Sequence, residues 1–196
     1  MRASVSFDRI GWLNGLDHRK IILIAFLARF ICAATYDCYV SVTGRDIIVP
    51  DGKFYSVRGR YASLFFDGYD AKSFTKDYLP EDREGKKIFW HAMKTEGGRL
   101  PLRLEDESTV FTYIVGLIYT IFGHFPFWVR LFNIVLSITS AYLIFDVGRK
   151  HFGILTANIF LIVALFLPTQ FIYSISQGRD FLRVFMISLI IWVVYG

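Results

Sequence analysis

Residues 127–147 read FWVRLFNIVLSITSAYLIFDV and are followed at once by Gly148-Arg149-Lys150-His151. A helix needs about 20 apolar residues to cross the hydrocarbon core of a bilayer, and this run is long enough. A short basic turn after such a run is typical of the cytoplasmic end of a span. The stretch therefore predicts a membrane-spanning helix that ends on the cytoplasmic side.

The composition of the whole chain agrees with this prediction. Of its 196 residues, 54% are hydrophobic and 18% are aromatic, and the mean hydropathy is +0.43. A chain of this kind is too apolar for an ordinary soluble domain. Its charged residues have a formal net charge of +5 and are grouped between apolar runs, as expected when charge is confined to loops and helix ends.

Three further apolar runs complete the pattern. The run 21–40 follows three basic residues, which favours a cytoplasmic N-terminus over residues 1–20. The run 153–171 returns outward and is broken late by Pro168. The last run, 181–196, has only 16 residues, so we expect a fourth helix that is truncated.

The predicted fold class is therefore all-α, a multi-pass membrane protein with about four transmembrane helices, of which the second to fourth lie within 127–196. Residues 41–126 form a large outer loop with 12 Lys+Arg and 12 Asp+Glu, so the net charge comes from the rest of the chain. Within this loop we predict two interfacial helices, 54–66 and 110–122. The stretch 67–108 between them is polar and has no clear period, which indicates an irregular loop.

The two interfacial helices are predicted from different patterns. Segment 54–66 is amphipathic, with Phe54, Val57, Tyr61, Leu64 and Phe65 on one face and Ser56, Arg60, Ser63 and Asp67 on the other. Segment 110–122 is apolar but would be only about 20 Å long as a helix, too short for a span. Its small and weakly polar stripe places it on or partly in the membrane surface, and the stripe comprises Thr109, Thr112, Gly116, Thr120 and Gly123.

Charged residues inside the apolar runs need protein neighbours. Arg29 and Asp37 interrupt the first run, and Asp146 lies in the second. Arg29 and Asp37 are expected to face protein rather than lipid. All three need partners in the bundle, and four helices offer few. Cys32 and Cys38 are interpreted as packing residues, because their spacing does not place them on one helix face for a disulfide, and no Cys/His cluster indicates zinc.

Two acidic residues lie just outside predicted spans: Asp51, in Pro50-Asp51-Gly52, and Asp180, after Arg179. In the predicted threading both emerge on the same non-cytoplasmic face, beside basic and aromatic neighbours. A carboxylate in such a place can act as a general base. For Asp51 the alternative is a turn residue. For Asp180 the alternative is a cap or first-turn residue of the following helix.

Nearby cations are candidates for binding a phosphate. Lys53, Arg58 and Arg179 lie beside the acidic residues, and a guanidinium binds phosphate in a bidentate geometry. Arg183 is assigned to interfacial anchoring, and Arg130 to anchoring the second span at the interface or to pairing with an outer carboxylate. Three histidines have no partner at a catalytic spacing, which favours loop or interface roles for His91, His124 and His151.

The order of these features resembles the N-terminal module of the C-type membrane glycosyltransferases, in particular the protein O-mannosyltransferase and aminoarabinose-transferase branches. The resemblance covers nearly all of the chain in order and spacing. Its matching stretches are 50–55 (PDGKFY) with Ala62, 113–123 (YIVGLIYTIFG), 129–133 (VRLFN), and 168–174 (PTQFIYS) with Arg179-Asp180.

The resemblance implies a polyprenyl-phosphate sugar as donor and transfer outside the cytoplasm. By position, Asp51 resembles the catalytic acidic residue of the first loop and Asp180 the second acidic residue. Lys53, Tyr55, Arg58 and Arg179 are then the substrate- or phosphate-binding residues, and Asp180 is a possible ligand of a divalent cation (Mg²⁺ or Mn²⁺). Two features depart from the family. Ser108-Thr109-Val110 stands where some branches have Lys-Pro-Pro, and the family module is longer, with seven or more spans.

The predicted function is thus a membrane glycosyltransferase, or its N-terminal portion, in the plasma (inner) membrane. The expected partners are membrane lipid, a polyprenyl-phosphate sugar, and a partner membrane subunit or further C-terminal helices, with no nucleic acid. We expect the isolated 196-residue chain to be inactive by itself. The alternative is a non-catalytic membrane subunit, or a scaffold or transporter-like protein in which Arg29 and Asp37 line a path.

Overall fold

The computed structural model describes residues 17–43, 51–66 and 109–196. Of residues 51–54, 57, 61, 64, 65 and 109 it describes the backbone but not the side chains. The predicted irregular loop 67–108 and most of the predicted cytoplasmic stretch 1–20 lie outside the described residues. The regular structure within the three described ranges is entirely α-helical, so the predicted all-α class is confirmed there.

Seven helices follow one another along the described ranges. They are α1 (His18–Thr43), α2 (Asp51–Phe66), α3 (Thr109–Phe122), α4 (Pro126–Phe152), α5 (Ile154–Phe166), α6 (Pro168–Ser174) and α7 (Asp180–Tyr195). By length and composition α1 and α4 can cross a membrane, and α5 with α6 can form a third span if the bent pair is counted as one. These helices are those of a membrane protein. The described residues thus give two or three candidate spans, and the fourth span, at α7, stays a prediction.

The chain packs as two compact units. Unit 1 comprises Met1–Thr35, Asn133–Ile175 and Asp180–Gly196, and unit 2 comprises Tyr36–Phe132 and Ser176–Arg179. Both α1 and α4 contribute residues to each unit, because the division falls within these helices.

The end of α4 differs from the prediction. Residues 149–151 were expected in a basic turn, but they form the last turn of the helix, which continues to Phe152. The chain turns instead at Gly153, whose φ of +82° is favourable for glycine and costly for other residues. Basic side chains in a last turn interact favourably with the negative end of the helix dipole, so the helix tolerates them.

The predicted break at Pro168 is confirmed. Helix α5 ends at Phe166 and α6 begins at Pro168, and the two axes differ by 54°. Proline has no N–H to donate and disfavours a helical conformation at the preceding residue. Leu167 accordingly has extended backbone angles, with φ −59° and ψ 124°.

Unit 1 has a core built largely from small and aliphatic side chains on α1, α4 and α5. It comprises Ile21, Ala25, Ala141, Phe145, Ala157, Leu161 and Leu165. Alanine at the contacts lets helix backbones approach closely, which is how helices without a hydrophobic driving force pack in lipid.

Arg29 is fully buried in unit 1 and is surrounded by oxygen atoms. Its Nη2 donates to the Leu165 carbonyl at 2.6 Å, its Nε to Ser174 Oγ at 2.8 Å and its Nη1 to the Ala25 carbonyl at 3.4 Å. The guanidinium also lies over the Phe171 ring, 5.0 Å from its centroid. Leu165 is in the last turn of α5, where carbonyls lack helical partners, so Arg29 caps the broken helix.

The prediction that the charged residues of the apolar runs face protein is therefore confirmed for Arg29 and also for Asp37, which is buried against Arg130. The expectation that partners are scarce is wrong. Asp146 too has partners, Arg149, Lys150 and the Trp192 indole. Backbone oxygens, charged residues of the same helix and polar side chains of other helices supply these partners.

Replacing Arg29 by Met is expected to lower the free energy of unfolding by about 1–3 kcal/mol, because the buried Leu165 carbonyl loses its donor. The measurement is unfolding in nanodiscs, with Arg183→Met as control, since Arg183 is exposed and makes the same change of charge. Equal stability of the two variants would contradict the capping role.

Candidate functional site

The position of α2, which carries four of the predicted site residues, is set by its packing on α3 in unit 2. A Cβ atom added at Gly116 would lie 2.5 Å from Ala62 Cβ, and one at Gly59 would overlap Val115. The two backbones therefore approach more closely than any side chain at these positions would allow. The contact fixes which face of α2 is buried.

Two residues of the predicted polar face of α2 are part of this buried contact. Ser56 Oγ lies 2.9 Å from the Tyr119 hydroxyl, and Ser63 Oγ lies 2.9 Å from His124 Nε2. Both serines are buried. The amphipathic pattern did not indicate this, because a serine is small enough to pack against a second helix if its hydroxyl finds a partner there. The side chains of the predicted apolar face lie outside the described residues.

Tyr119 and His124 form the centre of this polar network. The ring centroids are 5.7 Å apart with an edge-on geometry, and Ser63 Oγ also donates to the Arg60 carbonyl. Burial raises the pKa of the Tyr119 phenol, while the Ser56 hydrogen bond and the nearby Arg60 and Arg130 charges act in the opposite direction. The phenol therefore stays protonated and can act as a donor.

His124 thus has partners that the sequence did not reveal. Its hydrogen bond to Ser63 spans 61 residues of chain, so no local spacing could indicate it. The prediction of a loop or interface role was incomplete. His124 lies just after α3, and its hydrogen bond to Ser63 connects this end of α3 to α2.

Arg130 pairs with a carboxylate, as one of its two predicted roles requires, but the partner is Asp37 within α1 rather than a carboxylate of the outer loop. Its Nε donates to Asp37 Oδ1 at 2.8 Å, both side chains are buried, and the guanidinium lies 4.7 Å from the Tyr36 ring centroid. A charge neutralised in this way is a weak candidate for binding an anion. Arg60 is a stronger one, because its buried Nε has no hydrogen-bond partner in the described part of the chain. The sequence placed Arg60 on the polar face but did not single it out.

The predicted residues of α2 are placed as follows. Asp51 is the first residue of the helix, three residues before the predicted start, and its side chain and that of Lys53 lie outside the described residues. Tyr55 is only 7% exposed and packs edge-on against Phe111, which gives it a packing role. Arg58 is half-buried. The start of a helix favours a negative charge, so the position suits Asp51.

The second acidic candidate belongs to unit 1. Asp180 is exposed and is the first residue of α7, which agrees with its predicted first-turn alternative and leaves a functional role open. Arg179, the residue before it, is half-buried and belongs to unit 2. Phe181, the residue after Asp180, lines a cavity.

This cavity of about 240 Å³ lies in unit 1, between residues of α4, α5, α6 and α7. Its wall is mostly apolar but includes four groups that can form hydrogen bonds, namely Ser137, Ser140, Gln170 and Ser188. A cavity of mixed character can accommodate a hydrocarbon chain and a few polar atoms.

No group of three or more His, Cys, Asp or Glu side chains that could hold a metal ion occurs within the described side chains. The Asp51 side chain is not among them, so the predicted divalent cation stays a prediction. Cys32 and Cys38 are free thiols exposed on α1, and their predicted packing role stays a prediction.

Comparison of the chain with protein-family models, with curated proteins and with solved structures gives no match. The glycosyltransferase resemblance therefore remains one of motif order and spacing.

Gly116→Ala is expected to destabilise unit 2 by about 1–3 kcal/mol, because the added methyl group overlaps Ala62 in the α2–α3 contact. Gly148→Ala is the matched control. A Cβ there would meet Ala157 at 3.7 Å, an ordinary contact, so stability should be unchanged or slightly higher. Thermal unfolding in detergent measures both, and a tolerated Gly116→Ala would disprove the close α2–α3 approach.

Proposed function

We propose that the chain is a membrane glycosyltransferase, or the part of one that carries the acidic residues. It transfers a sugar from a polyprenyl-phosphate donor to an acceptor on the non-cytoplasmic face. The observation that carries the proposal is the position of Asp180. This exposed carboxylate begins α7, and the next residue, Phe181, lines the mixed cavity of unit 1. A carboxylate beside a cavity that fits part of a lipid chain is an arrangement suited to a lipid-linked substrate.

In the proposed reaction, an acceptor hydroxyl or amine attacks the anomeric carbon of the sugar. The bond between that carbon and the phosphate oxygen breaks, and the lipid phosphate leaves with the electron pair. Asp51 takes the acceptor proton as the new bond forms, while Asp180 orients the acceptor. Cations stabilise the departing phosphate. Arg58, Arg60, Arg179 and Lys53 are the candidates, and Arg130 is left out because Asp37 neutralises it.

The proposal includes a topology. Helices α1, α4, the bent α5–α6 pair and α7 cross the membrane, while α2 and α3 lie at its surface in the outer loop. The N-terminus and the last turn of α4 are cytoplasmic. Support comes from Arg149, Lys150 and His151, which form that last turn and match the excess of basic residues at cytoplasmic helix ends. The plasma (inner) membrane is the proposed location.

Cysteine labelling tests this topology. In a background without Cys32 and Cys38, a membrane-impermeant thiol reagent added to intact cells should label Glu84→Cys and spare Lys150→Cys. Permeabilised cells serve as the control, since both positions should then react. Labelling of position 150 in intact cells, or protection of position 84, would overturn the topology.

Transfer is expected to fall by a factor on the order of 10² or more in Asp51→Asn, because asparagine cannot accept the proton. Asp180→Asn should be impaired to a smaller extent. The assay follows a radiolabelled polyprenyl-phosphate sugar in membranes that lack the native chain and receive each variant, so any partner subunit is present. Asn is a good helix cap, so both variants keep the helix starts intact.

Asp17→Asn is the matched control. Asp17 Oδ1 accepts the Arg19 backbone N–H at the start of α1, and Asn can replace it there. Its transfer should equal that of the native chain. Near-normal transfer in both Asp51→Asn and Asp180→Asn, with the variants present in the membrane, would eliminate the enzyme in favour of the alternative, a non-catalytic membrane subunit. The transporter-like alternative has less support, because Arg29 and Asp37 are buried and partnered.

A further inference from the structure

Three helix ends come together at one end of unit 1. The His18 ring at the start of α1 stacks on Phe145 near the end of α4, with 5.1 Å between centroids. The Trp192 indole near the end of α7 donates to Asp146 Oδ2 at 3.1 Å. Lys150 Nζ donates to the Gly196 backbone oxygen at 2.6 Å. The start of α1 and the ends of α4 and α7 therefore form one surface.

This surface is basic. Its described part carries four permanent cations, Arg19, Lys20, Arg149 and Lys150, together with His18 and His151. The acidic side chains described at this surface are those of Asp17 and Asp146. A surplus of positive charge at the end of apolar helices attracts anionic lipid.

Asp146 holds two of these cations in place without exhausting their donors. Arg149 Nη2 lies 2.9 Å from Asp146 Oδ1, and Lys150 Nζ lies 3.4 Å from Oδ2. The side chains of Arg149 and Lys150 are still 48% and 45% exposed. Four of the five N–H groups of a guanidinium remain after one bond, and they suit the oxygens of a phosphate.

Next to these cations is an apolar pocket. It has a volume of about 440 Å³ and is lined by Val147, His151, Phe152 and Tyr195. Phe152, Tyr195 and Trp192 are all exposed, as aromatic residues are at the boundary between hydrocarbon and water. A pocket of this kind can take the glycerol and upper acyl carbons of a lipid.

We propose that this surface, the basic–aromatic cluster, binds an anionic glycerophospholipid. The phosphodiester lies against Arg149 and Lys150, and the glycerol end of the acyl chains enters the pocket of Val147, Phe152 and Tyr195. A soluble phosphate would use the cations but not the pocket, and a zwitterionic lipid would gain less from the surplus positive charge. Neither Asp51 nor Asp180 takes part, and the binding does not depend on the proposed transferase.

Trp192 reports directly on this site. The variant that has Phe in place of Trp12, Trp90 and Trp128 leaves Trp192 as the single tryptophan of the four. It is reconstituted in phosphatidylcholine vesicles containing either brominated phosphatidylglycerol or brominated phosphatidylcholine, since bromine quenches a nearby indole. We expect brominated phosphatidylglycerol to bind more tightly by about fivefold for each cation that it contacts. Equal quenching by the two lipids would overturn the proposal.

Charge variants locate the binding. Arg149→Gln with Lys150→Gln should abolish the preference for phosphatidylglycerol, whereas Arg149→Lys with Lys150→Arg should keep most of it and shows that the fold survives change at these positions. Arg183→Gln is the matched control, because Arg183 is nine residues before Trp192, about 14 Å away along α7. If Arg183→Gln lowered the preference for phosphatidylglycerol as much as Arg149→Gln alone, the preference would depend only on the overall charge. That result would refute the site.

A final arm separates the lipid from a free anion. Inorganic phosphate or glycerol phosphate at millimolar concentration, with ionic strength held constant, should leave the preference for phosphatidylglycerol intact. Displacement by either would identify a site for a soluble anion and would overturn the assignment to a lipid.

Discussion

The need to pair every backbone carbonyl inside apolar surroundings governs the arrangement of unit 1. Pro168 interrupts the apolar run between α5 and α6, and the carbonyls at the end of α5 lose their helical donors. Arg29 supplies a donor to Leu165 and, through Ser174, reaches α6 as well. A single guanidinium thus joins α1 to both α5 and α6, the two halves of the bent pair. Helix α6 is followed in the chain by α7, which begins at Asp180.

The same requirement appears in unit 2 with different chemistry. There the charge of Arg130 is neutralised by Asp37, and hydroxyls rather than cations connect α2 to α3. This distinction matters for the proposed chemistry. A cation that is both buried and neutralised by a carboxylate, such as Arg130, is a poor phosphate ligand, whereas Arg60 has a buried Nε with no hydrogen-bond partner in the described ranges. Under the proposed function, α2 therefore offers a better phosphate ligand than Arg130 of α4 does.

Features that depend on local chemistry could be predicted from the sequence. The apolar lengths of α1 and α4 and the break at Pro168 follow from hydropathy and from proline itself. The end of α4 was misplaced because charged residues can extend a helix until a residue such as Gly153 allows the chain to turn. The Ser63–His124 and Arg29–Leu165 contacts join residues far apart in the chain, and no periodicity within one segment contains them. Asp51 was predicted from the order of the motifs, and its side chain lies outside the described residues.

The Asp37–Arg130 pair also constrains how the chain is made. The two partners are 93 residues apart, and a ribosome adds about 5–20 residues per second. For roughly 5 to 20 s during synthesis, α1 therefore exists with a carboxylate that has not yet met its guanidinium. Arg29 is without its Leu165 acceptor for longer still, since the two residues are 136 positions apart in the chain. Newly inserted α1 is thus incomplete until α4 has been synthesised, because the partner of Asp37 lies on that later helix.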